Sequence, residues 1–189
     1  MKNIGVLALQ GAFIEHVNII NALGHEALEI RKAEQLDDID GIILPGGEST
    51  TMGKLLNDFN LLQPLKDKIT AGLPVWGTCA GMILLAKEIA DQDTSYLGTM
   101  DIMVKRNAYG RQSGSFDTHH VIPSISKEAI PLVFIRAPYI ESAGPNVQIL
   151  CKIDNHIVAA KQDNIFVTSF HPELTDDFAV HEYFINMIQ

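Results

Sequence analysis

The segment that decides the fold is residues 74–88, which read PVWGTCAGMILLAKE. Its first three residues predict a short buried strand, and the apolar pattern after Gly81 predicts a helix that runs to about Glu88. Between them, residues 77–81 have the form G-x-C-x-G, the nucleophile-elbow pattern with cysteine in place of serine. A strand that turns sharply into a helix is typical of an α/β protein.

Strand-like and helix-like segments alternate through the N-terminal half. Buried strands are predicted at residues 4–9, 27–30 and 41–44, and helices at residues 13–23, from about residue 49, and at residues 61–71. Because the connections between these segments are short, they predict a mostly parallel sheet with helices on both faces.

The C-terminal half is richer in β signals. Strands are predicted at residues 149–153, 157–161 and 165–169, and the Asp-Asn pairs between them predict antiparallel hairpins. A helix is predicted at residues 178–187. Since no linker, repeat or low-complexity tract interrupts the chain, we predict one α/β domain over residues 1–189. Its central sheet is expected to be mostly parallel and flanked by helices, with antiparallel strands in the C-terminal half.

The composition is that of an ordinary globular protein, with 47% hydrophobic and 20% charged residues in 189. The formal net charge of −9 disfavours a nucleic-acid partner, because an acidic surface repels phosphates. No apolar stretch approaches the roughly 20 residues that span a bilayer, and the N-terminal apolar run is short for a signal peptide. Two cysteines fit a reducing compartment. We therefore expect a soluble cytoplasmic protein without a membrane partner.

Metal chemistry is not expected, because no cysteine or histidine pair has the spacing of metal ligands. His119 and His120 are interpreted as polar residues in or near a loop. The other histidines outside the motifs are interpreted as surface or satisfied core residues: His16, His25, His156 and His181.

Cys79, at the centre of the elbow, is the candidate nucleophile. The helix that follows directs its N-terminal dipole and free N–H groups toward the sulfur and so favours the reactive thiolate. The alternative is a buried cysteine between two packing glycines. Cys151 lies in an apolar strand pattern and is interpreted as a buried structural thiol.

A candidate partner for the thiolate lies at residues 170–173, which read FHPE. Pro172 favours an extended conformation at His171, so that His171 and Glu173 project to the same side. A carboxylate in this place can orient the imidazole and stabilise its charged form. The alternative is an exposed turn without a catalytic role.

A third motif, PGGES at residues 45–49, follows the predicted third strand. Gly46 and Gly47 allow the backbone to approach a ligand, and an N–H there can donate to a developing oxyanion. A phosphate cradle or a plain turn are the alternatives, although the spacing to Lys54 excludes the Walker pattern. Acyl transfer through a thioester uses all three motifs.

Taken with their order along the chain, these motifs resemble the class I (triad) glutamine amidotransferases. More narrowly, the chain is similar to the glutaminase subunits of pyridoxal 5′-phosphate synthases. The segments that carry the resemblance are residues 7–13, 45–51, 77–82, 106–112, 134–138 and 170–175. The resemblance implies a class I glutamine amidotransferase-like fold.

The resemblance also implies roles for individual residues. It implies hydrolysis of L-glutamine to L-glutamate and ammonia through a cysteine thioester, with no cofactor and no metal. The triad would be Cys79, His171 and Glu173; the glutamine contacts would be Gly47, Glu48, Ser49, Arg106, Ile135 and Arg136; the oxyanion hole would be the N–H groups of Gly47 and Ala80. Which arginine binds the α-carboxylate stays open.

A partner is implied as well. It is a (β/α)₈-barrel synthase subunit that receives the ammonia along a protected route and makes pyridoxal 5′-phosphate (vitamin B6). The flexible Gly46-Gly47 loop suggests that the isolated chain is a poor glutaminase and that docking assembles the oxyanion hole.

Three alternatives stay open at this point. One is a glutaminase subunit for the histidine, purine or pyrimidine pathway, which would share the chemistry and differ in the ammonia acceptor. Another is a γ-glutamyl hydrolase that acts alone. The third is a non-catalytic binding module on the same scaffold.

Overall fold

The structure, a computed structural model, describes residues 1–107 and 114–189. Its strands are β1 (Asn3–Leu7), β2 (Glu26–Ile30), β3 (Gly41–Leu44), β4 (Val75–Thr78), β5 (Ala86–Ile89), β6 (Met100–Lys105), β7 (Ser115–Val121), β8 (Ala129–Ile135), β9 (Tyr139–Ala143), β10 (Gln148–Ile153), β11 (His156–Gln162) and β12 (Ile165–Thr168). Its α-helices are α1 (Phe13–Ala22), α2 (Ser49–Asp58), α3 (Leu62–Thr70), α4 (Ala80–Leu85) and α5 (Ala179–Met187). Short 3₁₀ turns cover Ala33–Asp37 and Pro172–Leu174.

A 10-stranded sheet organises the molecule, in the order β2-β1-β3-β4-β12-β11-β9-β6-β5 with β10 beside β11. The pairs from β2 to β12 are parallel, whereas β12-β11, β11-β9, β9-β6 and β10-β11 are antiparallel. A separate antiparallel hairpin is formed by β7 and β8. The predicted α/β class, with a mostly parallel central sheet and antiparallel strands in the C-terminal half, is confirmed.

The central strands bury both of their faces. Val75 of β4 packs in the hydrophobic cluster that contains residues of α2, α3 and α4. Its neighbour Trp76 packs in the cluster that contains residues of α1 and α5. Because successive side chains of a strand alternate between faces, an unbroken apolar run is what a sheet covered on both sides requires. The short central strands therefore carry the core.

The prediction for α4 was wrong at its C-terminal end. The helix ends at Leu85 rather than near Glu88, and residues 86–89 form β5 against β6. Ala86 has extended dihedrals of −62° and 137°. The Leu97 and Thr99 N–H groups donate to the carbonyls of Leu84 and Leu85 at 2.9 Å each. Those carbonyls end the helix with tertiary partners that lie more than ten residues away in sequence.

His119 and His120, interpreted as polar residues in or near a loop, are exposed and lie near the end of a strand that was not predicted, β7. The strand pairs in full register with β8, which includes the apolar residues Ile130, Leu132 and Phe134 on its buried face. Burial of the partner strand thus keeps a polar segment extended. Among the described residues, no helix has the length and apolar character needed to cross a membrane.

Candidate active site

Two adjacent parallel strands bring the predicted nucleophile and its predicted partner together. Thr78, the last residue of β4, is paired with Thr168, the last residue of β12. Cys79 follows Thr78 directly, and its N–H donates to the Thr168 carbonyl at 2.8 Å. His171 lies just beyond β12, where its N–H donates to the Val133 carbonyl of β8 at 2.8 Å. Carboxyl ends of parallel strands are where α/β proteins place their ligand sites.

Cys79 lies in a sharp turn with a backbone φ of 50° and ψ of −104°. A positive φ is uncommon for a residue other than glycine and persists only where the surroundings enforce it. Here the flanking glycines permit it, since a Cβ on Gly81 would lie 2.0 Å from the Leu44 oxygen. A Cβ on Gly77 would lie 2.6 Å from the Gly81 carbonyl group. The predicted elbow geometry is therefore present, and it places Cys79 in the wall of a cavity.

His171 connects Cys79 to Glu173. Its Nδ1 lies 2.6 Å from Glu173 Oε1, and Cys79 lies close enough to its ring to raise the pKa of the imidazole. Burial by itself lowers the pKa of His171, but the hydrogen bonds and charges of Cys79 and Glu173 raise it to about 10. The imidazole is therefore protonated at neutral pH and faces a sulfur on one side and a carboxylate on the other. A histidine placed in this way can pass a proton to or from a group bound at the sulfur.

The PGGES segment lines the site beside Cys79 and His171 and is anchored to the loop after β1. The Ala12 N–H donates to the Gly46 carbonyl at 2.9 Å, and the Glu48 N–H donates to Gln10 Oε1 at 2.8 Å. The Gln10 side chain thus holds the loop that contains Gly47. Ala80 is the first residue of α4, so its N–H has no partner within the helix.

Glu48 has a structural contact as well as a place in the pocket. Its carboxylate accepts hydrogen bonds from the Thr50 and Thr51 N–H groups at 3.2 and 2.7 Å and so caps α2. Partial desolvation by itself raises the pKa of Glu48. The hydrogen bonds from Thr51 and Thr50 outweigh it, so the pKa is lowered. The Arg106 guanidinium lies 3.2 Å from Glu48 Oε1. Arg106 is therefore held against the N-terminus of α2.

Arg136 follows β8 in a left-handed conformation with a φ of 42°, and its N–H donates to the Gly114 carbonyl. Its side chain forms no ion pair with any residue in the ranges 1–107 and 114–189. Among the described residues, Arg106 and Arg136 line the site in different states: Arg106 is paired with Glu48, and Arg136 has no carboxylate partner. Residues 108–112 of the matching segment 106–112 lie outside the described residues.

These elements enclose a cavity of about 500 Å³. It is lined by Gln10, Ala12, Gly46, Gly47, Glu48, Ser49, Cys79, Ala80, Ile83, Arg106, Asn107, Ile135, Arg136, Pro138, His171 and Leu174. Every residue predicted for the site is in that set except Glu173, which lies behind His171. A cavity with a thiol, an imidazole, a carboxylate and two guanidinium groups suits a small zwitterion.

Some residues around the site were missed by sequence reasoning. Gln10 belongs to a segment that carried the resemblance, but its contact with the Glu48 N–H depends on tertiary structure. His16 and His181 were interpreted as surface or satisfied core residues; both are buried, and His16 reaches Glu173. The available signal was the position of His16 on the apolar face of α1, one turn before Ile20.

Cys151 is buried as predicted, and burial raises its pKa to about 11. In the parts of the chain that the structure describes, no cluster of three or more histidine, cysteine or acidic side chains could hold a metal ion.

Comparisons with known proteins agree with this geometry. The pyridoxal 5′-phosphate synthase subunit PdxT of Clostridium beijerinckii is 62% identical over 182 residues, which are 96% of either chain. The protein of the same name from Carboxydothermus hydrogenoformans is 59% identical over 185 residues, 98% of this chain and 97% of its own. A crystal structure of a glutamine amidotransferase superposes with a TM-score of 0.93 at 41% identity and covers 98% of both chains.

A more distant structure, PurLQS from Thermotoga maritima, has a TM-score of 0.67 at 15% identity over the whole of both chains and shows the fold alone. The profile of the SNO glutamine amidotransferase family matches residues 6–189. The chain therefore belongs to the SNO glutamine amidotransferase family.

Proposed function

We propose that this chain is a glutaminase that hydrolyses L-glutamine to L-glutamate and ammonia, with Cys79 as the nucleophile. The observation that carries the proposal is the line of Cys79, His171 and Glu173 at the ends of β4 and β12. Acyl transfer needs a nucleophile, a proton carrier and a group that orients the carrier, and these three side chains supply them in contact.

The reaction proceeds in two halves. The Cys79 thiolate attacks the side-chain carboxamide carbon of glutamine, and the N–H groups of Gly47 and Ala80 donate to the oxyanion. The C–N bond breaks as the His171 imidazolium gives its proton to the leaving nitrogen, which departs as ammonia. A water molecule then attacks the thioester while neutral His171 takes its proton, and the C–S bond breaks to release glutamate and the thiolate.

Substrate recognition rests on the charges that line the cavity. Arg136, which has no carboxylate partner among the described residues, is the guanidinium we assign to the substrate α-carboxylate, because a planar guanidinium binds a carboxylate through two hydrogen bonds. Arg106 holds Glu48 in place. Glu48 faces the α-ammonium, while Ser49 and Ile135 line the remainder of the pocket.

We propose further that the ammonia passes to a (β/α)₈-barrel synthase subunit that makes pyridoxal 5′-phosphate. Support comes from relatives at 62% and 59% identity that are named as subunits of that synthase. Two pocket-lining apolar side chains, Ile135 and Leu174, are 38% and 45% exposed, which is a surface that a partner can cover.

The test is the release of glutamate from glutamine by the purified chain, alone and with the synthase subunit from the organism of a close relative. We expect slow release alone and a large rise on mixing. Steady release that is unchanged by the synthase would replace the partner proposal with a γ-glutamyl hydrolase that acts alone. The absence of release in both mixtures would favour a binding module.

A further inference from the structure

A buried polar cluster lies behind Glu173, on the side that does not contact His171. His16 of α1 places its Nε2 3.6 Å from Glu173 Oε2. The other ring nitrogen of His16, Nδ1, lies 2.9 Å from Nε2 of His181 in α5. His16 and His181 are 0% and 1% exposed, so solvent does not reach either ring.

Both histidines are neutral at neutral pH. Burial, together with the charges of His181 and His171, lowers the pKa of His16 well below its ordinary value. Burial lowers the pKa of His181 to about 3. A neutral imidazole carries one N–H and one acceptor nitrogen, so only one ring can donate in the bond between His16 and His181.

The carboxylate decides which ring donates. If His16 Nδ1 carried the proton, His16 Nε2 would present a lone pair to Glu173 Oε2, and two acceptors would face each other without water between them. With the proton on His16 Nε2, His181 donates to His16 and His16 donates toward Glu173. At 3.6 Å the last contact is longer than a standard hydrogen bond and is mainly electrostatic.

Among the described side chains around the cluster, His16 is the one placed to donate toward Glu173 Oε2. Trp76 forms T-shaped ring contacts with both histidines, with ring centroids 5.3 Å from His16 and 4.8 Å from His181. Its indole N–H donates to Thr168 Oγ1 at 3.2 Å and is therefore directed away from Glu173. Of the side chains that the structure describes, Glu173 Oε2 has His16 as its facing donor, while Oε1 is held by His171.

We propose that His16 is a positioning residue for the hydrolysis. Its Nε2–H attracts Glu173 Oε2 and keeps Oε1 on the His171 imidazole, and His181 holds His16 in the tautomer that this requires. The inference rests on the proposed function. Neither His16 nor His181 lines the cavity, so their effect should appear in kcat and leave substrate binding alone.

A matched pair of variants separates the two contacts of His16. In His16→Asn the amide reaches only the place of Nδ1, so the contact with His181 survives and the contact with Glu173 is lost. In His16→Gln the amide N–H reaches the place of Nε2 and can still donate to Glu173. Phe184→Leu is the packing control, since the Phe184 ring packs against Trp76 in a tilted arrangement, with ring centroids 5.8 Å apart, and has no polar group.

The first readout is glutaminase kinetics in the complex with the synthase subunit. We expect His16→Asn to lower kcat by about 10-fold to 100-fold, as is typical when a group that orients a catalytic residue is removed, with KM within about 2-fold. His16→Gln should stay within several-fold of wild type, and Phe184→Leu should keep the wild-type kcat. Equal kcat losses in His16→Asn and His16→Gln, or a comparable loss in Phe184→Leu, would assign the effect to packing and overturn the proposal.

The second readout does not need glutamine turnover. The rate of Cys79 alkylation by iodoacetamide against pH reports the thiolate, with Cys151 replaced by serine to remove the other thiol. The groups that face this charge network are Cys79, His171, Glu173, His16 and His181. In His16→Asn, Glu173 loses the group that keeps Oε1 on the His171 imidazole, so the imidazolium, and with it the thiolate, is less well stabilised. We expect the midpoint of the alkylation curve to move to higher pH, and His16→Gln to restore it.

An unchanged midpoint in His16→Asn, with unchanged kcat, would show that His16 does not position Glu173. If the wild-type chain releases no glutamate with the synthase present, the proposed function fails. The alkylation curves still decide the inference in that case, because they depend only on the thiol and its neighbours.

Discussion

At the scale of single residues, the site depends on groups held in states that solvent would not favour. Cys79 has a φ of 50°, and His171 keeps its proton because a thiol and a carboxylate flank it. Both states are imposed by neighbours: the glycines beside Cys79 and the carboxylate of Glu173 at 2.6 Å. Substitution of Cys79 should therefore change chemistry far more than stability, whereas substitution of His171 should also remove the contribution of its raised pKa to stability.

The two cysteines offer a direct comparison. Cys79→Ala should lower glutamate release by at least about 10⁴-fold, because it removes the nucleophile, whereas the fold should remain intact. Cys151→Ala should keep wild-type release, since Cys151 lies in β10 and is buried. Circular dichroism and synthase binding check the fold. Normal release by Cys79→Ala would overturn the assignment of the nucleophile.

His171 and Glu173 should differ in their importance. His171→Asn removes the proton carrier, and we expect a loss of kcat nearly as large as that of Cys79→Ala. Glu173→Gln keeps an oxygen that can accept from His171 Nδ1 but loses the negative charge, so a smaller loss of about 10²-fold to 10³-fold is expected. Steady-state kinetics of both variants in the complex measure the order, which a greater loss in Glu173→Gln would contradict.

At the scale of elements, one side chain at the N-terminus of α2 contributes both to the stability of the helix and to the pocket. Glu48 caps the helix through the Thr50 and Thr51 N–H groups and also pairs with Arg106. A capping side chain that is exposed and acidic is favourable at a helix N-terminus for its hydrogen bonds and for its charge. One carboxylate thus orients a helix and a pocket-lining arginine together.

Replacement of Glu48 by alanine should therefore affect two measurements. We expect the free energy of unfolding to fall by about 1 kcal/mol, the usual cost of a lost N-cap. We also expect KM for glutamine to rise, because the carboxylate that faces the substrate α-ammonium is removed. Urea denaturation and steady-state kinetics test the two effects. Glu34→Ala, which removes an exposed carboxylate from the turn Ala33–Asp37, is the control and should change neither. A normal KM in Glu48→Ala would remove Glu48 from the substrate site.

At the scale of the whole molecule, buried histidines with lowered and with raised pKa values determine how the free energy of unfolding depends on pH. His16 and His181 have lowered pKa values, so the unfolded chain binds more protons than the folded chain below about pH 6.5, the ordinary histidine pKa. Their contribution is therefore lost as pH falls below that value. His171 has a raised pKa, and its contribution is full below about pH 6.5 and is lost as pH rises toward about 10.

We accordingly expect the free energy of unfolding to be greatest near pH 6.5. As pH falls from 6.5 to 5, each buried neutral histidine lowers the free energy of unfolding by up to about 1.4 kcal/mol per pH unit. His181→Gln leaves one such histidine and should reduce this slope by about half, whereas His119→Gln, which alters an exposed residue, should leave it unchanged. Urea denaturation at a series of pH values measures the slopes. A stability that rises steadily from pH 6.5 to 9 would contradict the sign for His171.

Much of this molecule could be predicted from local patterns, and the exceptions have a common cause. The strands at residues 41–44 and 165–168 and the elbow at Cys79 were readable because unbroken apolar runs, glycines and turn pairs act on nearby residues. The end of α4 at Leu85 could not be predicted from local sequence, because the N–H groups that bond its last carbonyls belong to Leu97 and Thr99. The strand β7 was missed because its extended form depends on a buried partner.

By itself, then, the sequence determined the α/β class, the order of its central strands and helices, and the residue types placed at the strand ends. Tertiary structure decided which of these meet: β4 beside β12, which joins Cys79 to His171, and α1 beside α5, which joins His16 to His181 across 165 positions of sequence. The physical reason is the distance along the chain over which each effect acts. Backbone propensity and hydrophobic periodicity act within a few residues, whereas the partner of a buried polar group is set by the packing of helices on a shared face of the sheet.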